Sequence, residues 1–539
     1  MVQVLPVLEN QGWNKRVESV GLPCLDESSI LSSSTTFCRR ESYLRYLITA
    51  FHAAGQLHYV FNMMKNSVPL MCFLTAFLFS CSGGKKEVTE AELSAFGTYV
   101  YQLDTLQQEH IWYSRMGVSE DADSLLSYLR RELPRNGLDS TAFHISEIAE
   151  DLHIVHILAF DSVGQNINDV LNRLEANLTN AYMDYVIGQR YGFMRPDRVF
   201  NHLDFKINST EYARLFDYEV KAPQREEAEQ MLTSDERLSY LMASTPTDAV
   251  YAALQARLTT TTDTTERRTL AVNMERLRWQ RQRPDARSRH IWVNIPAQQL
   301  WAVSDDSVLN MRICCGAVAT KSPLLHSAIS YIQVNPEWQI PQSIIKNEVS
   351  HHGGDSAYFA RHHYYIIDRN SGDTLNPAKV TGASLQSGRL RVGQHGGPGN
   401  SLGRIVFRFP NNFSVYLHDT NSPVAFQRER RTLSHGCIRV QKPFDLAHYL
   451  LPNADEWFLD RLRISMDLKP TGERGIKYLK EHPDEPSPRR LLKHIDVNPH
   501  VPLFIDYFTA YPTPGSDSIA FWPDVYNYDR IIAREIPWK

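Results

Sequence analysis

The sequence predicts an α+β protein in which a helical part precedes a part built mostly of strands. From about residue 91 to residue 280, apolar residues recur at helical spacing, as in residues 125–130 and 170–175, and this periodicity favours amphipathic helices. From residue 290 to about residue 440, apolar and β-branched residues alternate between turn signals, which indicates strands. We therefore predict a helical domain over residues 91–280 and a mostly β domain over residues 290–539.

The elements of the second domain can be placed individually. The predicted strands cover residues 291–296, 299–303, 308–318, 404–409 and 413–418. Residues 410–412, Pro-Asn-Asn, are turn-forming types, so the last two strands predict a hairpin that ends at His418. Pro443 begins a predicted helix that extends to Leu451, because proline is favoured in the first turn of a helix. His418 is thus expected at a strand end, where a rigid scaffold holds its side chain.

The stretch from Ser434 to Arg439, Ser-His-Gly-Cys-Ile-Arg, carries the clearest chemistry in the chain. A thiol becomes a strong nucleophile as its thiolate, and a nearby imidazole is the usual means of forming one. Gly436 leaves room for a carbonyl to approach the Cys437 sulfur and for backbone N–H groups to stabilise an oxyanion. A lone cysteine is more often an inert buried residue. This combination instead favours Cys437 as a nucleophile with His418 as its base.

These two segments, His418-Asp419-Thr420 and residues 434–440, resemble the signature of the L,D-transpeptidase (YkuD-type) catalytic domain of bacterial cell-wall enzymes. The likeness extends to the large YcbB-like subclass, which has an additional scaffold domain. It covers residue 270 to the C-terminus well and residues 90–270 more weakly. The further segments that carry it are residues 273–279, 334–341, 397–404, 502–507 and 521–526. The resemblance implies a helical scaffold domain, a mostly β catalytic domain and, over residues 345–396, a capping insertion above the substrate groove.

The resemblance also implies a reaction. Such enzymes attack the amide after the third residue of a peptidoglycan stem tetrapeptide, release D-alanine, and pass the acyl group to an amine of a neighbouring stem. By position, Cys437 is the nucleophile, His418 the proton acceptor, and His435 and Gly436 shape an oxyanion pocket with the Cys437 amide. No metal or organic cofactor is needed, and carbapenem β-lactams are expected inhibitors. The residues expected to contact substrate are Ser434, Arg439, Tyr416, Trp338 and Asn400.

Several alternatives stay open at this stage. Arg439 could brace its loop and Trp338 could be a core ring rather than a groove wall. Either the side chain or the carbonyl of Asp419 could orient the His418 imidazole. The acyl group could pass to water, which would make the protein a carboxypeptidase or endopeptidase. A non-catalytic wall-binding lipoprotein is a further reading, against which the intact Cys437, His418 and Gly436 argue.

Residues 63–81 have the pattern of a secretory signal peptide, with a short basic start and an apolar stretch too short to span a membrane well. Ser80-Cys81 at its end resembles a bacterial lipoprotein processing box. This implies lipidation of Cys81 and a periplasm-facing position in the cell envelope, in the outer membrane. A non-cleaved anchor helix that starts near Val68 is the alternative.

Two further segments flank this signal. Residues 1–62 are a doubtful extension, because a signal peptide should not be internal, so we expect translation to begin at Met63 or Met64. A disordered cytoplasmic extension is the competing interpretation. Residues 82–90 are predicted to be a polar linker.

Composition limits the partners and ligands. The formal net charge of −4 gives no basic footprint for nucleic acid. Cys314 and Cys315 are adjacent in a strand-like run and are expected in the core, and no disulfide framework or zinc spacing is present. The predicted insertion contains five histidines, which we expect to be ordinary surface or lid residues rather than metal ligands: His351, His352, His362, His363 and His395.

Overall fold

The computed structural model describes residues 110–114, 117–159, 164, 166–206, 209–285, 288–305 and 307–538. The helices of these residues are α1 (Glu120–Arg135), α2 (Ile145–His156), α3 (Ile167–Tyr191), α4 (Pro196–Phe200), α5 (Arg225–Leu232), α6 (Arg237–Met242), α7 (Ala249–Thr260), α8 (Thr264–Arg278), α9 (Gln342–Asn347), α10 (Ser356–Arg361), α11 (Gly382–Gln386), α12 (Pro443–Leu450), α13 (Glu456–Ser465), α14 (Glu473–Glu481) and α15 (Tyr528–Glu535).

The strands are β1 (Tyr113–Ser114), β2 (Gly117–Val118), β3 (Phe216–Asp217), β4 (His290–Asn294), β5 (Gln299–Ser304), β6 (Ser307–Gly316), β7 (Leu324–Val334), β8 (Trp338–Gln339), β9 (Tyr364–Asp368), β10 (Thr374–Leu375), β11 (Leu390–Gln394), β12 (Ile405–Arg408), β13 (Leu417–His418), β14 (Thr432–Ser434), β15 (Ile438–Val440), β16 (His494–Asp506), β17 (Ala510–Pro512) and β18 (Ile519–Phe521). Helices therefore precede a strand-rich region, as the α+β prediction requires.

The largest sheet closes on itself. Its strands follow the order β12-β13-β15-β6-β5-β4-β16-β7-β3, and β12 also pairs with β7. Closure leaves few unpaired strand edges. The interior holds apolar side chains from most of these strands, including Ile313, Ile332, Phe407 and Leu417, all fully buried. The closed sheet is thus a rigid support for the strand ends on which the candidate site lies.

The helical part packs around a core of its own and also against the sheet. Side chains of α1, α2 and α3 form one apolar cluster, whereas Tyr251 and Leu254 of α7 and Leu270 of α8 belong to the core of the sheet. The Asp248 and Asp263 carboxylates accept hydrogen bonds from the first backbone N–H groups of α7 and α8, which caps these two helices.

A small subdomain interrupts the strand-rich region. Strands β8 to β11 form a separate antiparallel sheet in the order β10-β9-β11-β8. Its apolar core contains Ile345, Phe359, Ile366 and Val392. Because β8 pairs with β11 through Trp338 and Gln394, the subdomain begins a few residues before the start expected at residue 345. We call residues 338–394 the capping subdomain.

The predicted strands of this part of the chain are present in the structure. The ranges 291–296, 299–303 and 308–318 correspond to β4, β5 and β6, which pair in sequence order, and α12 begins at Pro443 as predicted. Strands β12 and β13 form the predicted hairpin, with Val406 opposite His418. Residues 413–416 are not part of β13, because Asn411 bonds the backbone of Phe413 and Val415 and holds this stretch as a loop.

The signal peptide, Cys81, residues 1–62 and the linker over residues 82–90 lie outside the described residues, as does the start of the helical domain before residue 110. Within the described part of the chain, no helix is both long and apolar enough to cross a membrane.

Candidate active site

Strand register brings the nucleophile candidate and the base candidate to one face of the sheet. Strands β13 and β15 run parallel, with Leu417 opposite Ile438 and His418 opposite Arg439, and the Ile438 N–H donates to the Tyr416 carbonyl at 3.1 Å. Side chains alternate along a strand, so Tyr416 and His418 share a face with Cys437 and Arg439. All four line a single cleft.

The loop that carries Cys437 has a backbone conformation that glycine adopts readily. Gly436 has a φ of +110°, where a side chain would be strained. The Gly436 N–H donates to Ser434 Oγ at 3.2 Å, and Ser434 Oγ donates to the Cys437 carbonyl at 2.5 Å. Ser434 is itself buried. Its hydroxyl is therefore used to shape the loop, and the Gly436 N–H is occupied by it.

A second set of hydrogen bonds links this loop to Ser322 and, through Ser322, to Tyr526. Ser322 Oγ donates to the Gly436 carbonyl at 2.7 Å, and the Tyr526 hydroxyl donates to the Gly316 carbonyl at 2.6 Å. The Ser322 N–H donates to the Tyr526 hydroxyl at 3.2 Å. Sequence reasoning assigned no role in the site to Ser322 or Tyr526. The residues are far apart in the chain, and only the folded sheet brings them to the loop.

Burial sets the protonation of the two central groups. The His418 ring is buried, and burial together with the positive charge of Arg439 lowers its pKa to about 3. Burial raises the pKa of the Cys437 thiol above its ordinary value, against smaller opposing effects of Tyr416 and Arg408. At neutral pH Cys437 is therefore a thiol and His418 a neutral imidazole, whereas the sequence alone suggests a thiolate.

The His418 imidazole is oriented by backbone carbonyls. The carbonyls of Asp419 and Leu402 lie against the ring and partly offset the lowering of its pKa. The Asp419 carboxylate points elsewhere and accepts a hydrogen bond from the Arg404 N–H at 2.8 Å. Within the described residues, His418 Nδ1 is buried without a hydrogen-bond partner. One ring nitrogen is thus available to take a proton.

Aromatic side chains flank the sulfur. The Tyr416 hydroxyl interacts with both Cys437 and Trp338, and the Arg408 guanidinium lies 4.3 Å from the centre of the Tyr416 ring. Trp338, which belongs to the capping subdomain, is only partly buried and lines the cleft. This placement corresponds to a groove wall, one of the two roles that the sequence left open for Trp338.

The cleft has a volume of about 1410 Å³ and is bounded by distant parts of the chain. Residues of the capping subdomain between 341 and 348 form one wall, and residues 204, 206, 209 and 213–215, from the helical part, contribute to another. Among the described residues, cations outnumber carboxylates in its lining. The basic side chains are Lys206, Arg214, Lys321, Lys346 and Arg439, and the acidic ones are Asp204 and Glu348. Such a cleft favours an elongated ligand that carries carboxylates.

Arg439 and Asn400 have different roles in this arrangement. Among the described residues, no carboxylate lies within ion-pair distance of the Arg439 guanidinium, and its Nε has no hydrogen-bond partner. Arg439 can therefore pair with an anionic ligand. Asn400 is fully buried; its Nδ2 donates to the His395 carbonyl at 2.9 Å, and its Oδ1 accepts from the Leu402 N–H at 2.8 Å. Its amide braces the turn and is not part of the cleft lining.

His435 contacts the capping subdomain. Its Nε2 lies 2.8 Å from Oε1 of Glu348, and both side chains are about half exposed, at 52% and 53%. Residues adjacent to the nucleophile and residues of the cap are thus joined by an accessible ion pair.

Some histidines of the predicted insertion, among them His352 and His395, lie against aromatic rings. His352 stacks on Tyr358 with ring centres 3.8 Å apart, and His395 lies 4.5 Å from the Tyr365 ring. Within the described residues, no group of three or more His, Cys, Asp or Glu side chains is arranged to hold a metal ion. Cys314 and Cys315 are free and fully buried, as expected for core residues.

Comparison with known proteins gives matches over both the strand-rich part and the helical part of the chain. The chain matches a family model of the L,D-transpeptidase catalytic domain over residues 288–459 and a family model of a scaffold domain over residues 100–258. A curated protein of Haemophilus influenzae, which carries the name "Putative L,D-transpeptidase", is 33% identical over 273 residues. That match covers 50% of this chain and 50% of the relative, so the chain spans about half the length of that relative.

One solved structure is also similar. The L,D-transpeptidase from Mycobacterium smegmatis is 12% identical, and the match covers 41% of this chain and 59% of that one. Its TM-score of 0.18 is too low to carry an argument about this chain.

Proposed function

We propose that this chain, which carries the catalytic and scaffold domains of the large L,D-transpeptidase subclass, cross-links peptidoglycan through a thioester on Cys437. The observation that supports this most is the common face of β13 and β15, which presents Cys437 and His418 to one cleft. A thiol, a buried neutral imidazole and a glycine-shaped loop in one cleft are the parts that acyl transfer through a thioester needs.

The proposed reaction has two halves. Cys437 attacks the carbonyl of the third stem residue while His418 takes the thiol proton and passes it to the departing D-alanine. The amine of a neighbouring stem then attacks the thioester and releases the sulfur. We assign the Cys437 N–H to the oxyanion, because the Gly436 N–H already donates to Ser434. Tyr416 and Trp338 form the groove wall, and Arg439 pairs with a stem carboxylate.

Digestion of purified tetrapeptide muropeptides with the enzyme tests this proposal. We expect dimers joined between third-position residues, together with released D-alanine, when the products are separated and weighed. Tripeptide monomers alone would show that water is the acceptor and would contradict the transfer assignment. Unchanged muropeptides with no acyl-enzyme would favour a non-catalytic wall-binding protein.

The resting protonation state leads to a separate prediction. Because burial raises the pKa of Cys437 above its usual 9.0, the thiolate is the minor form at neutral pH and grows about tenfold with each pH unit below the pKa. Alkylation of the free enzyme by iodoacetamide should therefore keep accelerating from pH 6 to pH 9. A plateau already at pH 6 to 7 would instead indicate a preformed thiolate–imidazolium pair. Free cysteine provides the reference curve.

We also propose that the mature protein is a periplasm-facing lipoprotein anchored through Cys81. The support is the signal-like sequence of residues 63–81. Mass spectrometry of the N-terminal peptide of the native protein would identify a lipidated Cys81, whereas abundant peptides from residues 1–62 would contradict the proposed start.

A further inference from the structure

Transfer of the acyl group to an amine has a chemical requirement that its transfer to water lacks. An alkyl amine resembles lysine, whose pKa is about 10.4, so the acceptor arrives as an ammonium and must lose a proton before it can attack. A cleft that selects amines over water needs a negative group for the ammonium and a base for its proton. His418 is already assigned to the proton of the thiol and the leaving group.

The cleft offers two carboxylates among its described residues, and they differ in availability. Asp204 pairs with Lys321, whose side chain is only 7% exposed, so its charge is already matched by a fixed cation. Glu348 has a titratable partner, His435, and both side chains remain about half exposed to the cleft. Glu348 is therefore the carboxylate that an incoming ammonium can reach.

The Glu348–His435 pair has the arrangement of an oriented base. Glu348 Oε1 faces His435 Nε2 at 2.8 Å, which favours the proton of a neutral imidazole on Nε2 and leaves the lone pair on Nδ1. A carboxylate beside an imidazole also stabilises the imidazolium that forms when the base takes a proton. Tyr358 and Tyr364 of the cap are also near enough to Glu348 to feel its charge. Burial, and then Tyr358 and Glu348, raise the pKa of Tyr364 to about 12, so it stays neutral.

We propose that Glu348 and His435 form the acceptor site of this enzyme, a site for a primary ammonium that rests on the proposed transfer function. Glu348 Oε2 binds the ammonium, and His435 Nδ1 takes one of its protons. The neutral amine then attacks the thioester carbonyl, the carbon–sulfur bond breaks, and a second nitrogen proton passes through His418 to the sulfur. The products are an amide, the Cys437 thiol and a protonated His435, so the protons of the ammonium are accounted for.

The capping subdomain acquires a chemical role in this scheme. Glu348 follows α9, and its N–H donates to the Ile344 carbonyl at 2.9 Å, so its position depends on the fold of the cap. The first half-reaction, which forms the thioester, does not use this carboxylate, because His418 protonates the leaving D-alanine. Glu348 therefore sets which acceptor is used, rather than whether the thioester forms.

The test separates the two half-reactions in the full-length protein. Glu348→Gln keeps the shape and removes the charge. With tetrapeptide muropeptides that contain diaminopimelate, we expect the dimer-to-tripeptide ratio to fall about tenfold or more, as the loss of a charge-assisted hydrogen bond implies. The Michaelis constant for the acceptor should rise, whereas the initial burst of D-alanine should change by less than about twofold, since thioester formation does not use the Glu348 carboxylate.

Glu337→Gln is the matched control. Glu337 also faces a histidine, His395, at 3.9 Å, but it does not line the cleft. The dimer-to-tripeptide ratio of Glu337→Gln should therefore stay at the wild-type value. An unchanged ratio in Glu348→Gln, or an equal loss of burst and transfer, would overturn the acceptor site. Glu348→Ala gives a second reading should the glutamine retain a hydrogen bond to His435. Failure of the wild type to form a thioester would instead refute the proposed function itself.

Discussion

Replacing Cys437 by alanine is expected to abolish turnover while leaving the fold intact. The substitution deletes the sulfur that forms the thioester, and no other thiol among the described residues lines the cleft. Loss of a covalent nucleophile in comparable sites lowers the rate by about a million-fold. The release of D-alanine should fall to background, and intact-mass spectra should show neither the acyl adduct nor a carbapenem adduct.

The fold should tolerate this change because Cys437 is only partly buried and alanine creates little empty space. The loop conformation is set by Gly436, Ser434 and Ser322, none of which bonds the sulfur. Thermal unfolding should therefore resemble that of the wild type.

Cys314→Ala makes the same chemical change at a fully buried thiol, packed against Ala425 and Phe426. This control should keep its activity. Appreciable turnover by folded Cys437→Ala would remove Cys437 from the mechanism.

The sequence is most informative where function depends on neighbouring residues. Ser434 to Arg439 predicts the nucleophile loop. Turn chemistry at residues 410–412 predicts His418 at a strand end, and the structure confirms that position. Such features are encoded within one segment. The hairpins β4–β5 and β12–β13 follow from alternation and turn residues in the same way.

Features that depend on contacts between distant segments were not accessible from the sequence. Glu348 meets His435 only because the capping subdomain folds over the cleft, and Tyr526 meets the 316–322 turn only through the closed sheet. Asn400 is a polar residue in a motif that resembles the family, and the sequence therefore predicts that it contacts the substrate. The structure places its amide in a buried turn, where unpaired backbone carbonyls needed a donor.

The orientation of His418 also required the structure. A carboxylate directly after a histidine suggests a carboxylate–imidazole pair, yet the Asp419 side chain caps the 403–404 turn. Residues adjacent along a strand point to opposite faces. The Asp419 side chain is therefore poorly placed to bond the His418 ring, and the Asp419 backbone carbonyl contacts the ring instead.

The largest effect on stability is expected in the helical domain, at Arg278. Its guanidinium is fully buried and bonds the Asn136 carbonyl at 2.7 Å, the Tyr251 hydroxyl at 2.9 Å and Gln189 Oε1 at 3.1 Å. It also pairs with the Glu275 carboxylate, which is equally buried, at 3.4 Å. Arg278→Met keeps the apolar volume but leaves Glu275 charged and unpaired. We expect the free energy of unfolding to fall by about 3–5 kcal/mol, as measured by urea unfolding.

The size of this loss should depend on pH. Burial raises the pKa of Glu275, and Arg278 opposes that rise, so removal of Arg278 raises the pKa further. A carboxyl whose folded-state pKa lies above its unfolded value favours the folded state at low pH and loses that contribution as the pH rises through the folded-state pKa. The deficit of Arg278→Met should therefore be smaller at pH 5 than at pH 8.

Arg225→Met is the matched control, because Arg225 pairs with Glu229 at an exposed site and such pairs contribute about 0.3–0.5 kcal/mol. A deficit in Arg278→Met as small as that of the control would mean that the buried network does not hold the helices α1, α3, α7 and α8 together. A large deficit that is equal at both pH values would show that lost packing and hydrogen bonds, rather than the uncompensated charge of Glu275, cause the destabilisation.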